Sequence, residues 1–167
     1  GKPLLAQSTQ TLHFNYSHSG DYVAFAFCRD AEVGVDIEYT QRDNRIAAIA
    51  SNYFSEPEVN ALLALPESQQ RERFFQYWTL KEAYIKARGE GIFLGLGKFS
   101  FEPGLHQPGG IGIHFTEADF DRADTWHFDL VKPVAAYQMA VALRSDKPMR
   151  LEIADSAGIS LENALFL

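Results

Sequence analysis

With 167 residues, 46% hydrophobic and 22% charged, the chain is long enough to bury one sizeable core and shows no signature of disorder. Its formal net charge of −7 argues against a nucleic-acid partner, which needs a basic face, and no apolar stretch approaches membrane-spanning length. The single cysteine, Cys28, excludes an internal disulfide, and without a signal-peptide pattern at Gly1 the expected location is cytoplasmic.

Alternating or continuous runs of β-branched and aromatic residues predict strands over 12–17, 21–28 and 33–39, with a hairpin turn at Ser19-Gly20-Asp21. Cys28, closing the run Tyr22-Val23-Ala24-Phe25-Ala26-Phe27-Cys28, reads as a core residue rather than a nucleophile or ligand. Helices follow over 43–53, 56–64 and 68–88, the last with Phe74, Trp78 and Ile85 on one apolar stripe and Glu82 on its flank. Ser55 and Glu58 have the Ser-x-x-Glu spacing of a helix capping box. Gly89, Gly91, Gly95 and Gly97 fit a helix that ends before a loop, and no Walker loop or His-Glu-x-x-His is present. Strands over 98–102, 111–115, 125–131 and 135–143 complete the chain, the first pair separated by the Pro- and Gly-rich loop 103–110. Residues 155–167 read as a short helix or a tail, with Leu161, Leu165, Phe166 and Leu167 suggesting that something packs there. Alternation by blocks reads as α+β, and residues 1–167 read as one domain.

Chemistry concentrates in two segments. In an extended Gly34-Val35-Asp36-Ile37-Glu38, side chains two apart share a face, so Asp36 and Glu38 project together while Val35 and Ile37 anchor the other side. In the helical run Trp78 to Ala87, Glu82 and Lys86 are four apart and share a face, with Trp78 one turn earlier. If helix and strand pack together, three carboxylates converge, and a cation or protons must relieve their repulsion. Magnesium suits oxygen ligands that also hold phosphates. Each half alone also fits an ordinary solvated face or surface ion pair.

A third motif lies upstream, Phe14-Asn15-Tyr16-Ser17-His18-Ser19-Gly20-Asp21. With Gly34-Val35-Asp36-Ile37-Glu38 and Trp78-x-x-Lys81-Glu82-Ala83-x-x-Lys86-Ala87, in this order, and with Gly1-Lys2-Pro3 before them, the chain resembles the Sfp-type 4′-phosphopantetheinyl transferases from Gly1 to about Phe101. The resemblance implies an antiparallel sheet packed with helices. It implies Asp36, Glu38 and Glu82 as magnesium ligands, with Glu82 or a metal-bound water as the proton acceptor for a serine hydroxyl. Lys86 and His18 match positions that contact coenzyme A phosphates, with Lys81 and Ser17 as weaker candidates. Glu58 matches a recurrent acidic position, but its capping-box spacing is the preferred reading.

The implied reaction moves the 4′-phosphopantetheine of coenzyme A to a serine of an apo acyl or peptidyl carrier protein and releases 3′,5′-ADP, by positioning and charge stabilisation. Coenzyme A and carrier proteins are acidic, so positive charge must be local, from Arg42, Arg45, Arg71, Arg73, Lys81, Lys86, Arg88 and Lys98. The departure from the family is that its chains usually hold two similar halves, with these motifs near the start of the second. Association with a missing N-terminal half, or self-association as in smaller AcpS-type relatives, is therefore expected. The alternatives are a non-catalytic module that binds coenzyme A or a carrier, and an unrelated metal-dependent phosphotransferase that ignores carriers.

Overall fold

The computed structural model describes residues 12–42, 45–91, 94–102, 111–117, 120–147 and 150–154. Gly1-Lys2-Pro3, the 103–110 loop and the expected packing within 155–167 lie outside the described residues. The fold is α+β. Its elements are β1 (Leu12–Ser19), β2 (Tyr22–Arg29), β3 (Glu32–Tyr39), α1 (Ile46–Tyr53), α2 (Glu56–Leu63), α3 (Glu67–Arg88), β4 (Phe99–Phe101), β5 (Ile113–Phe115), β6 (Trp126–Val131) and β7 (Tyr137–Arg144). Every strand and helix read from the sequence is present, with ends displaced by a few residues.

All strand pairs are antiparallel, divided into a hairpin β1-β2, a central sheet β3-β7-β6 and a short pair β4-β5. The hairpin closes through Gly20 and Asp21, because Ser19 pairs with Tyr22. Gly20 has φ +56°, and a Cβ there would lie 2.4 Å from the Tyr137 hydroxyl, which accepts the Asp21 backbone N–H at 3.2 Å. Glycine is therefore required both by conformation and by contact.

The central sheet is covered on both faces. On one side lies α3, whose Ala83 and Ala87 approach Gly34, beside the small residues Ala140 and Ala142 of β7. On the other side Val33, Val35, Ile37, Tyr137, Met139 and Val141 form a second cluster, roofed by Ala24, Ala26 and the half-buried Cys28 of β2. The Cys28 side chain thus packs, as its apolar setting suggests.

Helix α3 departs from a one-stripe amphipathic helix. Phe74, Phe75, Tyr77, Thr79, Leu80, Lys81, Ala83, Tyr84, Ile85 and Ala87 are all buried, so the helix is enclosed around most of its circumference. It ends at Gly89, left-handed at φ 72°, whose N–H bonds to the Ile85 carbonyl. Helix α2 begins with the capping box read from the sequence: the Ser55 N–H and Oγ both donate to Glu58 Oε2, at 3.1 and 2.8 Å. Near the far end of the core, the Asp121 carboxylate collects Tyr84 Oη (2.8 Å), Arg88 Nη1 (2.6 Å) and Trp126 Nε1 (3.1 Å). Burial alone would raise that carboxyl, but Tyr84, the Arg122 backbone N–H and Arg88 hold it below its usual value.

Candidate active site

In an antiparallel ladder, alternate residues turn their N–H and C=O groups toward the partner strand, leaving the others to face the opposite edge. On β3 those outward N–H groups belong to Val35, Ile37 and Tyr39, and among the described residues no neighbouring strand is hydrogen-bonded to them. Side chains of β1 meet them instead. Asn15 Oδ1 accepts from Val35 N–H (3.0 Å), Ser17 Oγ from Ile37 N–H (3.3 Å) and Ser19 Oγ from Tyr39 N–H (2.9 Å). Asn15, Ser17 and Ser19 are buried, as their shared period of two on one face of β1 requires.

The same hydroxyls reach the carboxylates between those amides. Ser17 Oγ donates to Asp36 Oδ1 at 2.9 Å, and Ser19 Oγ donates to Glu38 Oε2 at 2.9 Å. Lys86 arrives from α3, donating to Asp36 Oδ1 (2.7 Å), Ser17 Oγ (2.9 Å) and the Val35 carbonyl (3.3 Å). Gly34 makes that arrival possible, since its missing Cβ would lie 2.1 Å from the Ala83 carbonyl oxygen and 2.5 Å from the Ala87 nitrogen.

The result is an open, mostly polar cleft of about 390 Å³ lined by Tyr16, Ser17, His18, Asp36, Glu38, Trp78, Glu82 and Lys86. Trp78, Glu82 and Lys86 follow one another at intervals of four, forming the half-buried stripe of α3 that faces the hairpin and β3. Trp78 therefore serves two surroundings, the cleft and the ring of Phe74, whose centroid is 6.0 Å away.

The electrostatics of the cleft are dominated by burial. Asp36 is 4% exposed, and desolvation pushes its carboxyl up to about 7. The ammonium of Lys86 pulls it down and the charge of Glu38 pushes it further up; burial prevails. Burial also raises Glu82, with Lys86 lowering and Glu38 raising it. Asp36 Oδ2 is buried with no hydrogen-bond partner. A carboxylate oxygen withdrawn from water without a donor is one that a hard cation would satisfy, and Glu38 and Glu82 line the same cleft. Among the described residues no three acidic, imidazole or thiol side chains are grouped closely enough to hold a metal ion; on Asp36 the Lys86 ammonium supplies the positive charge.

Of the residues singled out from sequence, Ser17, His18, Asp36, Glu38, Glu82 and Lys86 line this one cleft, and Lys81 does not. Lys81 is 0% exposed, and its Nζ is held by the Leu96 carbonyl (2.7 Å), the Phe99 carbonyl (2.6 Å) and Glu58 Oε2 (2.8 Å), with the Phe99 ring centroid at 4.4 Å. The expectation that it meets coenzyme A gives way to a buried ion pair that ties α3 to α2 and β4. Glu58 is likewise more than a cap, since its Oε1 also accepts the Phe101 N–H at 3.0 Å. The expected local basic field is dispersed too. Arg88 is spent on Asp121, and Arg71 Nη1 on the carbonyls of Thr40 and Arg42.

Sequence reasoning missed Tyr16 and Trp78 as lining residues, and Ser19 and Arg42 as partners of Glu38. Arg42 Nη2 donates to Ser19 Oγ at 2.6 Å, and its Nη1 stands 3.5 Å from Glu38 Oε2. The available signal was the Asn-x-Ser-x-Ser alternation itself, whose period equals that of Asp36-x-Glu38.

Comparison with known proteins agrees with this arrangement. Residues 32–142 match the family model of the 4′-phosphopantetheinyl transferase superfamily. The chain is 39% identical over 153 residues to the 4′-phosphopantetheinyl transferase psf-1 of Bacillus pumilus, covering 91% of this chain and 60% of that protein. It is 38% identical over 119 residues to the 4′-phosphopantetheinyl transferase Sfp of Bacillus subtilis, covering 71% of this chain and 50% of that one. It thus spans about half to three-fifths of the length of these relatives. In fold it resembles the crystal structure of the Thermotoga maritima holo-[acyl-carrier-protein] synthase, with a TM-score of 0.55 and 22% identity, over 70% of this chain and 64% of that one. With that family model matched over most of its length, the chain belongs to the 4′-phosphopantetheinyl transferase superfamily.

Proposed function

We propose that this chain carries the catalytic carboxylates of a transferase that moves 4′-phosphopantetheine from coenzyme A to a serine hydroxyl of an apo acyl or peptidyl carrier protein, releasing 3′,5′-ADP. The observation that carries the proposal is the convergence of Asp36, Glu38, Glu82 and Lys86 on one cleft, with Asp36 Oδ2 buried and unpartnered. Asp36, Glu38 and Glu82 are the proposed magnesium ligands; the ion would supply charge neutralisation to the pyrophosphate. Lys86, a compact ammonium at the cleft wall, and the exposed His18, which also lines the cleft, are the proposed contacts to phosphate oxygens. Glu82 is less buried than Asp36, burial raises its carboxyl, and either it or a metal-bound water would accept the serine proton.

The test is intact mass of an apo acyl carrier protein after incubation with the chain, coenzyme A and magnesium, beside an EDTA control. The expected result is a metal-dependent gain of one phosphopantetheine, abolished by Glu82→Gln without loss of the folded state by thermal unfolding. Turnover that persists in EDTA would remove the metal from the proposal.

One observation favours a second reading. The outer face of the β1-β2 hairpin exposes Tyr16, Val23, Phe25 and Phe27, and the relatives are longer than the matched region. A site completed only by another protein surface would leave the isolated chain able to bind coenzyme A but unable to transfer from it. For the 167-residue chain on its own we propose that a second copy covers this face. Coenzyme A binding without turnover, in a chain that stays monomeric, would favour the non-catalytic reading.

A further inference from the structure

Asp36 and Glu38, the two acidic side chains of β3 that line the cleft, each have one hydroxyl from β1 and one cation. Asp36 has Ser17 and Lys86, both of which line the cleft; Glu38 has Ser19 and Arg42, which do not. Ser19 is 1% exposed, and its Oγ is fully engaged, donating to Glu38 Oε2 and accepting from the Tyr39 N–H and from Arg42 Nη2. Arg42 is itself anchored, because its carbonyl accepts Arg71 Nη1 at 2.7 Å while the same Nη1 reaches the Thr40 carbonyl at 3.2 Å. A carboxylate at the end of a flexible side chain thus meets a buried hydroxyl and the guanidinium of a residue whose backbone is tied to α3.

We propose that Ser19 and Arg42 are positioning residues that fix the Glu38 carboxylate in the cleft for a divalent cation. The inference rests on the proposed reading of the cleft as a metal-dependent transferase site, and it concerns residues outside the cleft lining. Groups behind a ligand orient it and tune its charge, and their loss typically weakens metal binding about 10–100-fold. Ser19→Ala removes the bridge between the carboxylate, the Tyr39 amide and the guanidinium. Arg42→Gln removes the cation from a partly exposed position, where the fold has little to lose.

The experiment measures binding of Mn2+ by electron paramagnetic resonance, and of coenzyme A by calorimetry, to the 167-residue chain and to Ser19→Ala, Ser19→Thr and Arg42→Gln, each checked by thermal unfolding. Expected are losses of about 10–100-fold in Mn2+ affinity for Ser19→Ala and Arg42→Gln. Recovery by Ser19→Thr, and no further loss when Ser19→Ala is added to Glu38→Gln, are also expected. Unchanged Mn2+ affinity in folded Arg42→Gln, or an equal loss with and without the Glu38 carboxylate, overturns the positioning role while leaving the site reading intact. An unsubstituted chain that binds neither Mn2+ nor coenzyme A overturns the site reading and this inference with it.

Discussion

Lys81 and Lys86 stand five positions apart on α3 and meet opposite surroundings. Lys86 faces an open cleft, whereas Lys81 is sealed against Glu58, two carbonyls and an aromatic face. Desolvation lowers the Lys81 ammonium from its usual range, with Glu58 opposing the change. Removing one partner of such a pair strands the other charge, which costs about 3–5 kcal/mol. Lys81→Ala is therefore expected to lower stability by about that amount in urea unfolding, with the folded fraction retaining its coenzyme A affinity; weakened binding at unchanged stability would return Lys81 to the site. The sequence set Lys81 and Glu82 side by side in one motif, yet adjacent helical residues point about 100° apart. Glu82 and Lys86 were legible as a pair because four-residue spacing fixes a face. That Lys81 turns inward depends on α2 and β4, which meet α3 only in the folded chain.

At the scale of elements, the site is set by how closely α3 lies on β3. Gly34 has room for no side chain, and both atoms that a Cβ would strike belong to the helix backbone, which cannot step aside as a side chain can. Gly34→Ala is expected to push α3 off the strand, costing about 1–3 kcal/mol or more by overpacking. It should also separate Glu82 and Lys86 from Asp36 and Glu38. Urea unfolding checks the first effect and Mn2+ affinity the second; a variant as stable as the parent would mean that the helix rides farther out than described. Strands and helices were readable from alternation and from the capping signals at Ser55 and Gly89. The enclosure of α3 was not, because Thr79 and Lys81 interrupt its apolar surface and are satisfied by the Phe75, Leu96 and Phe99 carbonyls rather than by water. Nor does the sequence of β1 reveal that it meets β3 through side chains rather than through a ladder.

For the whole molecule, the hairpin separates two environments. Its inner residues roof the central sheet, while Phe25 and Phe27 are 62% and 63% exposed and stack on each other, Phe27 stacking also on Phe14 and Phe25 meeting Tyr16 in a tilted contact. Contiguous exposed rings of this kind are unusual on a monomer. Light scattering of the 167-residue chain is expected to give a mass above that of one copy, and Phe25→Asp with Phe27→Asp a monomer that keeps its unfolding midpoint. A monomer without the substitutions would exclude the second copy as the covering surface. Which face of the hairpin turns outward was not legible, since an aromatic-alanine alternation reads equally well with either side inward.

The side-chain comb of β1 carries one more consequence, for the time scale on which the acidic strand opens to solvent. The amides of Val35, Ile37 and Tyr39 end on Asn15, Ser17 and Ser19, so their deuterium exchange depends on release of the hairpin and not on fraying of a ladder. They are expected to exchange as one group, as slowly as amides of β7 in the middle of the sheet, and to speed up together when any one comb residue is replaced by alanine. Three unrelated exchange rates, measured by nuclear magnetic resonance, would show that the comb opens tooth by tooth.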